Sequence, residues 1–365
     1  MALQCGIVGL PNVGKSTLFN ALSSAKAQAA NYPFCTIEPN VATVTVPDAR
    51  LDKLEKLVKP QRVLPTTVEI VDIAGLVKGA SQGEGLGNQF LGNIRNTNAI
   101  VHVLRCFDDG NVVHVDGSVD PVRDKEVIDM ELQLSDLASL EKREQRYQKQ
   151  LKANDKEAKE ALVVLEKVKH HLAQGLSVRT LDFTDEERAI VSEMHLLTAK
   201  PVIYVCNVDE ASAATGNDYV TQVKQAVVNE NAEVLVISSA IESEIALLET
   251  PEERFEYLEA IGLHEPGIHK LIHAAYHILD LITYFTAGEK EVRAWTISKG
   301  MKAPQAAGVI HSDFERGFIR AEVIKYADYV HYGSELAIKE AGKMSVEGKE
   351  YVVHDGDIMH FRFNV

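Results

Sequence analysis

The feature that most constrains this chain is the octapeptide at residues 9–16, which reads Gly-Leu-Pro-Asn-Val-Gly-Lys-Ser. It fits the pattern Gly-x4-Gly-Lys-Ser of a phosphate-binding loop, whose glycines let the backbone wrap around phosphate oxygens. An apolar run, Leu3 to Val8, precedes the loop and predicts a buried strand, while apolar residues at helical spacing follow from Thr17. Strand, loop and helix in this order predict a nucleotidase core that binds a nucleoside triphosphate.

The loop sequence assigns phosphate and metal contacts to individual residues. Backbone N–H groups of the loop and of the helix N-terminus would surround the β- and γ-phosphates, and Lys15 would neutralise their charge. Ser16 would offer its hydroxyl to Mg²⁺. The predicted nucleotide contacts in this segment are Asn12, Val13, Gly14, Lys15, Ser16 and Thr17.

A second motif lies at residues 72–75, which read Asp-Ile-Ala-Gly after a predicted strand at residues 67–71. In nucleotide switches, the Asp of such an element supports the Mg²⁺ hydration shell while the Gly amide senses the γ-phosphate. Between the two motifs lies a proline-punctuated loop, residues 31–40, whose Thr36 is the natural second hydroxyl for the metal; an ordinary surface-loop role for Thr36 stays open. The expected metal residues are Ser16, Thr36 and Asp72, and the expected catalytic residues are Lys15 and Gly75.

The residues after Gly75 limit the nucleotidase families to which the chain could belong. Ras-like enzymes place a Gln there to position the attacking water, whereas this chain has Leu76, an aliphatic residue that cannot orient water. The glycine-patterned string at residues 72–91, together with Tyr-Pro-Phe-Cys-Thr-Ile-Glu-Pro-Asn at residues 32–40, resembles the Obg branch of nucleotidases and, within it, the YchF family of Obg-like ATPases. The resemblance runs over nearly the whole chain.

The residues that select the base are expected in the element that reads Asn-Lys-x-Asp in GTPases, where the Asp accepts two hydrogen bonds from guanine. Here the apolar strand at residues 202–205 leads to Asn207-Val208-Asp209-Glu210, so that Val replaces the Lys and Glu replaces the Asp. A site built for paired hydrogen bonds discriminates strongly when that geometry is lost. The residues alone indicate only a poor fit to guanine; the resemblance implies ATP. The expected base-side residues are Asn207, Val208, Glu210, Ser238, Ser239 and Ala240.

The order of predicted elements indicates an α/β nucleotidase core with one inserted and one added module. We expect the core at residues 1–122 and 200–279, an inserted helical domain at 123–199 and a C-terminal domain at 280–365. The insertion has helical apolar spacing with little Gly or Pro, which predicts a long hairpin, coiled-coil-like, with its tip at Asn154-Asp155. In the C-terminal part, the predicted strands are Tyr284–Thr286, Val292–Ile297, Gly317–Val323 and Tyr351–Val353, around a helix at Ala303–Ile310. Residues 311–319 resemble the TGS domain, a β-grasp module, which implies a surface for an RNA-containing translation partner.

Composition and charge fit this organisation. The 365 residues carry a formal net charge of −15, yet residues 142–169 hold nine Lys and Arg against five Asp and Glu. A local basic face on an acidic protein permits selective RNA contact; a solvated helix with i,i+4 ion pairs is the alternative. No stretch approaches about 18 uninterrupted apolar residues, and the first strand leaves no room for a cleavable signal, so we expect a cytoplasmic protein without membrane contact.

Two further residues carry open alternatives. Cys35 neighbours Thr36, so that its oxidation could perturb Mg²⁺ binding; an inert loop thiol is the favoured alternative. Asn12 resembles the Asn that coordinates K⁺ in cation-activated relatives of this class; a turn-stabilising role is the alternative.

The sequence therefore predicts a Mg²⁺-dependent ATPase that acts as a conformational switch and associates with the ribosome or another translation partner. No general base is visible. The alternatives are a GTPase or dual nucleotidase, and a regulatory adaptor in which nucleotide binding sets conformation with little turnover.

Overall fold

A computed structural model of the chain describes residues 4–28, 40–73, 86–110, 112, 114, 117–153, 155–230 and 232–364. Of the described residues, one compact unit contains 4–28, 40–43 and 69–271, and a second contains 44–68 and 272–364.

The first unit is built on a six-stranded sheet with the order β2-β4-β1-β5-β6-β7. The pairs β4–β1, β1–β5, β5–β6 and β6–β7 are parallel. Strands β5 and β6 are buried at every residue, as expected for parallel strands that are covered on both faces. The bounds are β1 Gln4–Val8, β2 Val41–Thr45, β4 Thr67–Asp72, β5 Ala99–Arg105, β6 Val202–Asn207 and β7 Glu233–Ile237, with β3, Val63–Leu64, in the other sheet.

This strand order places the carboxyl ends of β1, β4, β6 and β7 at one edge of the sheet, where α/β proteins bind their ligands. Helices follow these strands and supply N-termini at the same edge. The bounds are α1 Lys15–Gln28, α3 Leu86–Asn96, α4 Pro121–Leu151, α5 Lys156–Ala173, α6 Asp185–Met194, α7 Asp218–Ala226, α8 Ser239–Leu247, α9 Pro251–Ala260 and α10 Gly267–Ile278, with α2, Ala49–Val58, between β2 and β3.

Helices α4 and α5 lie between β5 and β6 in the chain, in the segment for which the sequence predicts a helical hairpin. Asp120 caps α4 by accepting a hydrogen bond from the backbone N–H of Arg123, and Pro121 fills the first turn, where its missing N–H is tolerated. Asp155, at the predicted tip, caps α5; Asn154 lies outside the described residues. The two helices share an apolar core that contains Leu140, Val164, Leu165, Val168 and Leu172.

A buried ion-pair cluster fastens α4 to the sheet. The Lys125 ammonium contacts carboxylates of Asp129 and Glu230, each at 2.6 Å, and the Arg179 guanidinium contacts the same two residues at 3.1 and 3.4 Å. The Tyr204 hydroxyl of β6 donates to Glu230 at 2.7 Å. Because two cations and two anions balance one another, removal of any one of them would leave the cluster with an excess buried charge.

The second unit has its own six-stranded sheet, with the order β11-β10-β12-β8-β9-β3. Its further elements are β8 Leu281–Ala287, β9 Val292–Ser298, α11 Ala303–Ile310, α12 Ser312–Arg316, β10 Phe318–Lys325, α13 Tyr326–Tyr332, α14 Glu335–Glu340, β11 Ser345–Glu347 and β12 Asp357–Phe363.

The structure corrects one predicted strand of this unit. Residues 351–353 form only an isolated bridge, between Val352 and Lys302, and the strand at this end of the chain is β12. It pairs with β10 over most of its length and also with β8. Residues 357–363 form the strand because they pair with β10 along a ladder, whereas residues 351–353 make a single bridge.

The structure also places residues 44–68 in the second unit, whereas the sequence analysis assigns them to the nucleotidase core. The physical reason is burial. Leu51 and Leu54 of α2 belong to the same apolar cluster as Phe285 and Ile324, and β3 pairs with β9. Among the described residues, no helix is long and apolar enough to cross a membrane.

Candidate functional site: the phosphate loop and its neighbours

The phosphate loop follows β1 directly, and α1 begins at Lys15. Gly14 has φ +91° and Asn12 has φ +62°, a region that Gly adopts freely and that Asn tolerates better than most residues. A Cβ atom on Gly14 would lie 2.1 Å from Nδ2 of Asn207, so the loop can approach its neighbour this closely only with Gly at this position. The loop encloses a cavity of about 440 Å³ lined by Leu10, Pro11, Asn12, Gly14, Lys15, Ser16 and Thr17.

Lys15 and Asp72 meet at the edge of the sheet. The Lys15 ammonium donates a short hydrogen bond to Oδ1 of Asp72, and both side chains are largely buried. Asp72 is the last residue of β4, and Lys15 is the first residue of α1. The two predicted motifs are thus brought together. The Asp72 carboxylate compensates the positive charge of Lys15.

Asn207 joins two parts of the site, the phosphate loop and the N-terminus of α8. It ends β6, it is 4% exposed, and its Nδ2 donates to the carbonyl oxygen of Val13 at 2.8 Å. Its Oδ1 accepts a hydrogen bond from the backbone N–H of Ser239 at 2.9 Å. One buried amide therefore fixes the phosphate loop against the loop that precedes α8.

Ser238 and Ser239 carry two polar groups that the described residues leave unsatisfied. Both residues are 3% exposed, and their hydroxyl oxygens have no hydrogen-bond partner among the described residues. The Ser239 hydroxyl lies 3.4 Å from the point that a Cβ on Gly14 would occupy, so it faces the phosphate loop. Buried hydroxyls are nearly always paired, and a ligand in the cavity is a natural partner for these two.

The other base-side residues differ in exposure. Val208 is 3% exposed, and its backbone N–H donates to the carbonyl oxygen of Ile237 at 3.0 Å; its side chain is packed in the protein interior. Glu210 and Ala240 are exposed to solvent. The described structure therefore has a solvent-exposed carboxylate at position 210 and, at position 208, no long stem that could lie along a base.

The residues expected at the metal are only partly described. Ser16 and Thr17 expose their hydroxyls in the first turn of α1, and Asp72 lies beside Lys15. Thr36 and Gly75 lie outside the described residues, as does Cys35. Within the described ranges, no group of three or more His, Cys, Asp and Glu side chains could hold a metal ion. A hydroxyl and a carboxylate, completed by water and phosphate oxygens, fit Mg²⁺, which keeps several waters when it is bound.

Sequence reasoning identified the motif residues but missed two of their contacts. The Lys15–Asp72 ion pair and the double hydrogen bond of Asn207 join residues that are distant in the chain. The only signal in the sequence was the position of each residue at the carboxyl end of a predicted strand, since parallel strands end at a common edge.

Comparison with known proteins identifies relatives over the full length. A family model described as a 50S ribosome-binding GTPase matches residues 4–128, and the YchF-GTPase_C model, described as a protein of unknown function (DUF933), matches residues 281–364. The chain is 55% identical to the ribosome-binding ATPase YchF of Bacillus subtilis and 55% identical to that of Escherichia coli O157:H7. Each alignment covers 100% of both proteins.

Solved structures agree with these matches. The YchF GTPase of Schizosaccharomyces pombe aligns with a TM-score of 0.90 and 41% identity, covering 99% of this chain and 97% of that one. A GTP binding protein from Pyrococcus horikoshii aligns with a TM-score of 0.62 at 18% identity, covering 99% of this chain and 100% of that one, a likeness of fold alone. The predicted α/β nucleotidase fold is confirmed, whereas the β-grasp and coiled-coil descriptions stay predictions.

Proposed function

This chain belongs to the YchF family, and on that premise we propose that it is a cytoplasmic, Mg²⁺-dependent ATPase whose nucleotide state controls its association with the ribosome. The observation that carries the proposal is the convergence of Lys15, Asp72 and Asn207 around the phosphate loop. Relatives that align over their whole length are named ribosome-binding ATPases. The sequence prediction of the family is confirmed.

Each residue has a role in this proposal. Lys15 leaves Asp72 and contacts the β- and γ-phosphates, where it stabilises the charge of the transition state together with the loop amides. Ser16 and Thr36 would hold Mg²⁺ through their hydroxyls, and Asp72 would support it through water. The metal would neutralise phosphate charge. The Gly75 amide would sense the γ-phosphate.

The preference for ATP rests on the base-side residues. Guanine offers two N–H donors to a correctly placed carboxylate, and the buried Val208 with the solvent-exposed Glu210 departs from that arrangement. The second candidate is a GTPase or dual nucleotidase, because the matching family model and the S. pombe relative are both described as GTPases. Direct competition of ATP and GTP for the purified protein decides between them. A tenfold preference for GTP would contradict the ATPase proposal.

The proposed contact with ribosomal RNA rests on the helical hairpin. Lys142, Arg146 and Lys149 follow one another at spacings that place them on one face of α4, and all three are exposed. Lys152 extends the row, and Lys156 and Lys159 are exposed on α5. In contrast, Lys167 and Lys169 form ion pairs with Glu187 and Glu144. The cations near the tip are therefore the ones we assign to phosphate contacts.

Co-sedimentation with ribosomes tests this part of the proposal. The protein is mixed with ribosomes in the presence of ATP, ADP or a non-hydrolysable ATP analogue, and we expect the bound fraction to differ between the nucleotides. Lys149→Glu with Lys152→Glu should weaken binding. The matched control is Lys53→Glu with Lys224→Glu, which changes the net charge equally at exposed sites on α2 and α7. Equal loss in both double variants would show that net charge alone matters.

The adaptor alternative has a separate test. ATP turnover is measured alone and with ribosomes, and partner affinity is measured with and without ATP. Negligible turnover in every condition, combined with an ATP-dependent affinity, would replace the ATPase by a nucleotide-gated adaptor.

A further inference from the structure

The segment between the two phosphate-sensing motifs is folded into the second unit. Residues 44–68 contain the end of β2, all of α2 and β3, and the start of β4. In the chain they stand between the predicted metal residues Thr36 and Asp72. A segment in this position ordinarily needs only a short turn, since hairpin connections are two to five residues long. Residues 44–68 are much longer than such a turn, and their contacts lie in the second unit.

Apolar burial anchors the segment. Leu54 is fully buried and Leu51 is 5% exposed, in one cluster with Phe285, Ile324 and Ile358 of the second sheet. Asp48 caps α2 by accepting a hydrogen bond from the backbone N–H of Arg50. Burial of these two Leu side chains makes α2 an integral part of this unit.

Polar contacts fix the orientation of the same segment. Arg50 donates from Nη1 and Nη2 to the two carboxylate oxygens of Asp355, at 2.6 and 3.3 Å. Asp355 in turn accepts a hydrogen bond from the backbone N–H of Thr283, the third residue of β8, at 2.9 Å. A carboxylate held by both a guanidinium and a strand amide links α2 to β8 with defined geometry.

The segment also extends the sheet itself. Strand β3 pairs with β9 in the register Val63 with Val292 and Leu64 with Arg293. Thr66, the residue before β4, shares a short hydroxyl–hydroxyl hydrogen bond with Thr296 of β9. Strand β9 is therefore contacted by the residues from which β4 starts.

The opposite end of β4 lies at the phosphate loop. Asp72, its last residue, holds Lys15, and the backbone N–H of Asp72 donates to the carbonyl oxygen of Asn40 at 2.8 Å. One strand of six residues thus runs from Thr67, beside the Thr66–Thr296 contact, to the carboxylate that must release Lys15 when a phosphate arrives. Hydrogen-bonded strands transmit displacements along their length because packed interiors deform little.

We propose that residues 44–68 couple the nucleotide state at Lys15 and Asp72 to the β8–β9 part of the second sheet. ATP then changes the opening free energy of β8 and β9 and the affinity of a partner that binds this sheet. Because coupling between two binding sites is reciprocal, the bound partner changes the affinity for ATP by the same factor. The inference rests on the proposed function in one respect, namely that Lys15 contacts nucleotide.

Amide hydrogen exchange on the full chain tests the coupling. Exchange is measured without nucleotide, with Mg²⁺ and a non-hydrolysable ATP analogue, and with Mg²⁺ and ADP, while titration calorimetry on the same sample measures binding. We expect amides of residues 46–66 and 283–298 to differ by about threefold or more between the analogue and ADP. Residues 156–173 of α5 serve as the internal reference and should not differ.

Two outcomes overturn different statements. If the analogue binds and protects residues 10–18 while 46–66 and 283–298 remain unchanged, the coupling is refuted and the proposed function is untouched. If neither nucleotide binds, the proposed function itself fails, and the calorimetric titration identifies this case.

Variants assign the coupling to the contacts described. Arg50→Ala removes the link to Asp355 and should reduce the nucleotide-dependent difference in residues 283–298 at least about threefold, while ATP affinity changes by less than about twofold. Lys53→Ala, an exposed cation on the same helix, is the matched control and should retain the full difference. Thr66→Val, close in size and lacking the hydroxyl, should also reduce it. Wild-type behaviour in both Arg50→Ala and Thr66→Val would overturn the proposal.

Discussion

Replacing Asn207 by Ala should weaken nucleotide binding although Asn207 need not touch the phosphates. The substitution deletes two buried hydrogen bonds, from Nδ2 to the Val13 carbonyl oxygen and from the Ser239 N–H to Oδ1. The phosphate loop and the loop before α8 then lose their shared support. Part of the binding energy of ATP must be spent on ordering these loops, which lowers affinity.

The structure sets the size of the effect. A buried backbone group left without a partner costs about 1 to 3 kcal/mol, and the variant leaves two such groups. Water from the open cavity beside the loop can satisfy one of them, so one unsatisfied group remains and we expect a stability loss of about 1 to 3 kcal/mol. If about 1.4 kcal/mol of this reappears in binding, ATP affinity falls about tenfold.

Urea unfolding and titration calorimetry measure the two quantities separately. The matched control is Asn217→Ala, because Asn217 also makes two backbone contacts, to the Cys106 carbonyl oxygen at 2.8 Å and to the Val220 N–H at 3.2 Å. It lies at the start of α7. Asn217→Ala should reduce stability by about 1 kcal/mol, as expected for a lost helix cap, with ATP affinity unchanged.

Unchanged ATP affinity in Asn207→Ala would refute the reasoning, because the loop would then hold its conformation without this support. Equal losses of affinity in both variants would also refute it, since a general loss of stability would explain the result.

Four further predictions concern the site and its surroundings. Lys15→Ala should reduce ATP turnover at least about a hundredfold, because phosphoryl transfer relies on electrostatic stabilisation; near wild-type turnover would remove the loop from the mechanism. ATP should bind wild type at least as tightly as GTP, and Val208→Lys with Glu210→Asp should shift competition toward GTP, although the buried position of Val208 makes failure of this double variant less decisive. Intrinsic turnover should be slow and faster in K⁺ than in Na⁺ at equal ionic strength, and Asn12→Ala should abolish the difference; equal wild-type rates would leave a partner as the accelerator. Burial lowers the pKa of His102 to about 4; the charges of Lys125 and Arg179 also lower this pKa, and the charge of Asp129 raises it. Because His102 takes up its proton near pH 6.5 in the unfolded chain and only near pH 4 in the folded one, the unfolding free energy should fall by up to about 3 kcal/mol as the pH is lowered from 6.5 to 4. His102→Leu should flatten this slope.

The phosphate site was predictable because its determinants are local. The sequence at residues 9–16 specifies its own turn, as the positive φ angles of Asn12 and Gly14 show. Strands β4 and β6 were also predictable from short apolar runs, within two residues at each end. Their shared edge follows from parallel pairing.

The second unit was less predictable, because its elements depend on partners that are far away in the chain. Residues 351–353 and 357–363 both contain residues suited to a strand, and only the ladders of β12 with β10 and β8 select the latter. Strand propensity reflects packing against neighbours more than an intrinsic backbone preference. A propensity argument cannot decide between two such segments.

The assignment of residues 44–68 failed for the same reason. The apolar residues Leu51 and Leu54 predict an amphipathic helix, but an apolar face identifies no partner, and proximity in the chain favoured the nucleotidase core. The observed partner cluster includes Phe285 and Ile358. The segment that lies between β2 and β4 in the chain therefore depends for its stability on the core of the second unit.

Asp72 links the chemistry of the site to this arrangement. In the structure the Asp72 carboxylate pairs with Lys15, and in the proposed mechanism it supports Mg²⁺ while Lys15 contacts phosphate. A carboxylate with two alternative cations is a two-state element, since it cannot hold both at full strength in one position. It is also the terminal residue of β4, whose first residue follows Thr66. If Asp72 exchanges Lys15 for Mg²⁺ as proposed, the exchange acts on the last residue of β4, and the proposed coupling then starts from the residue that supports the metal.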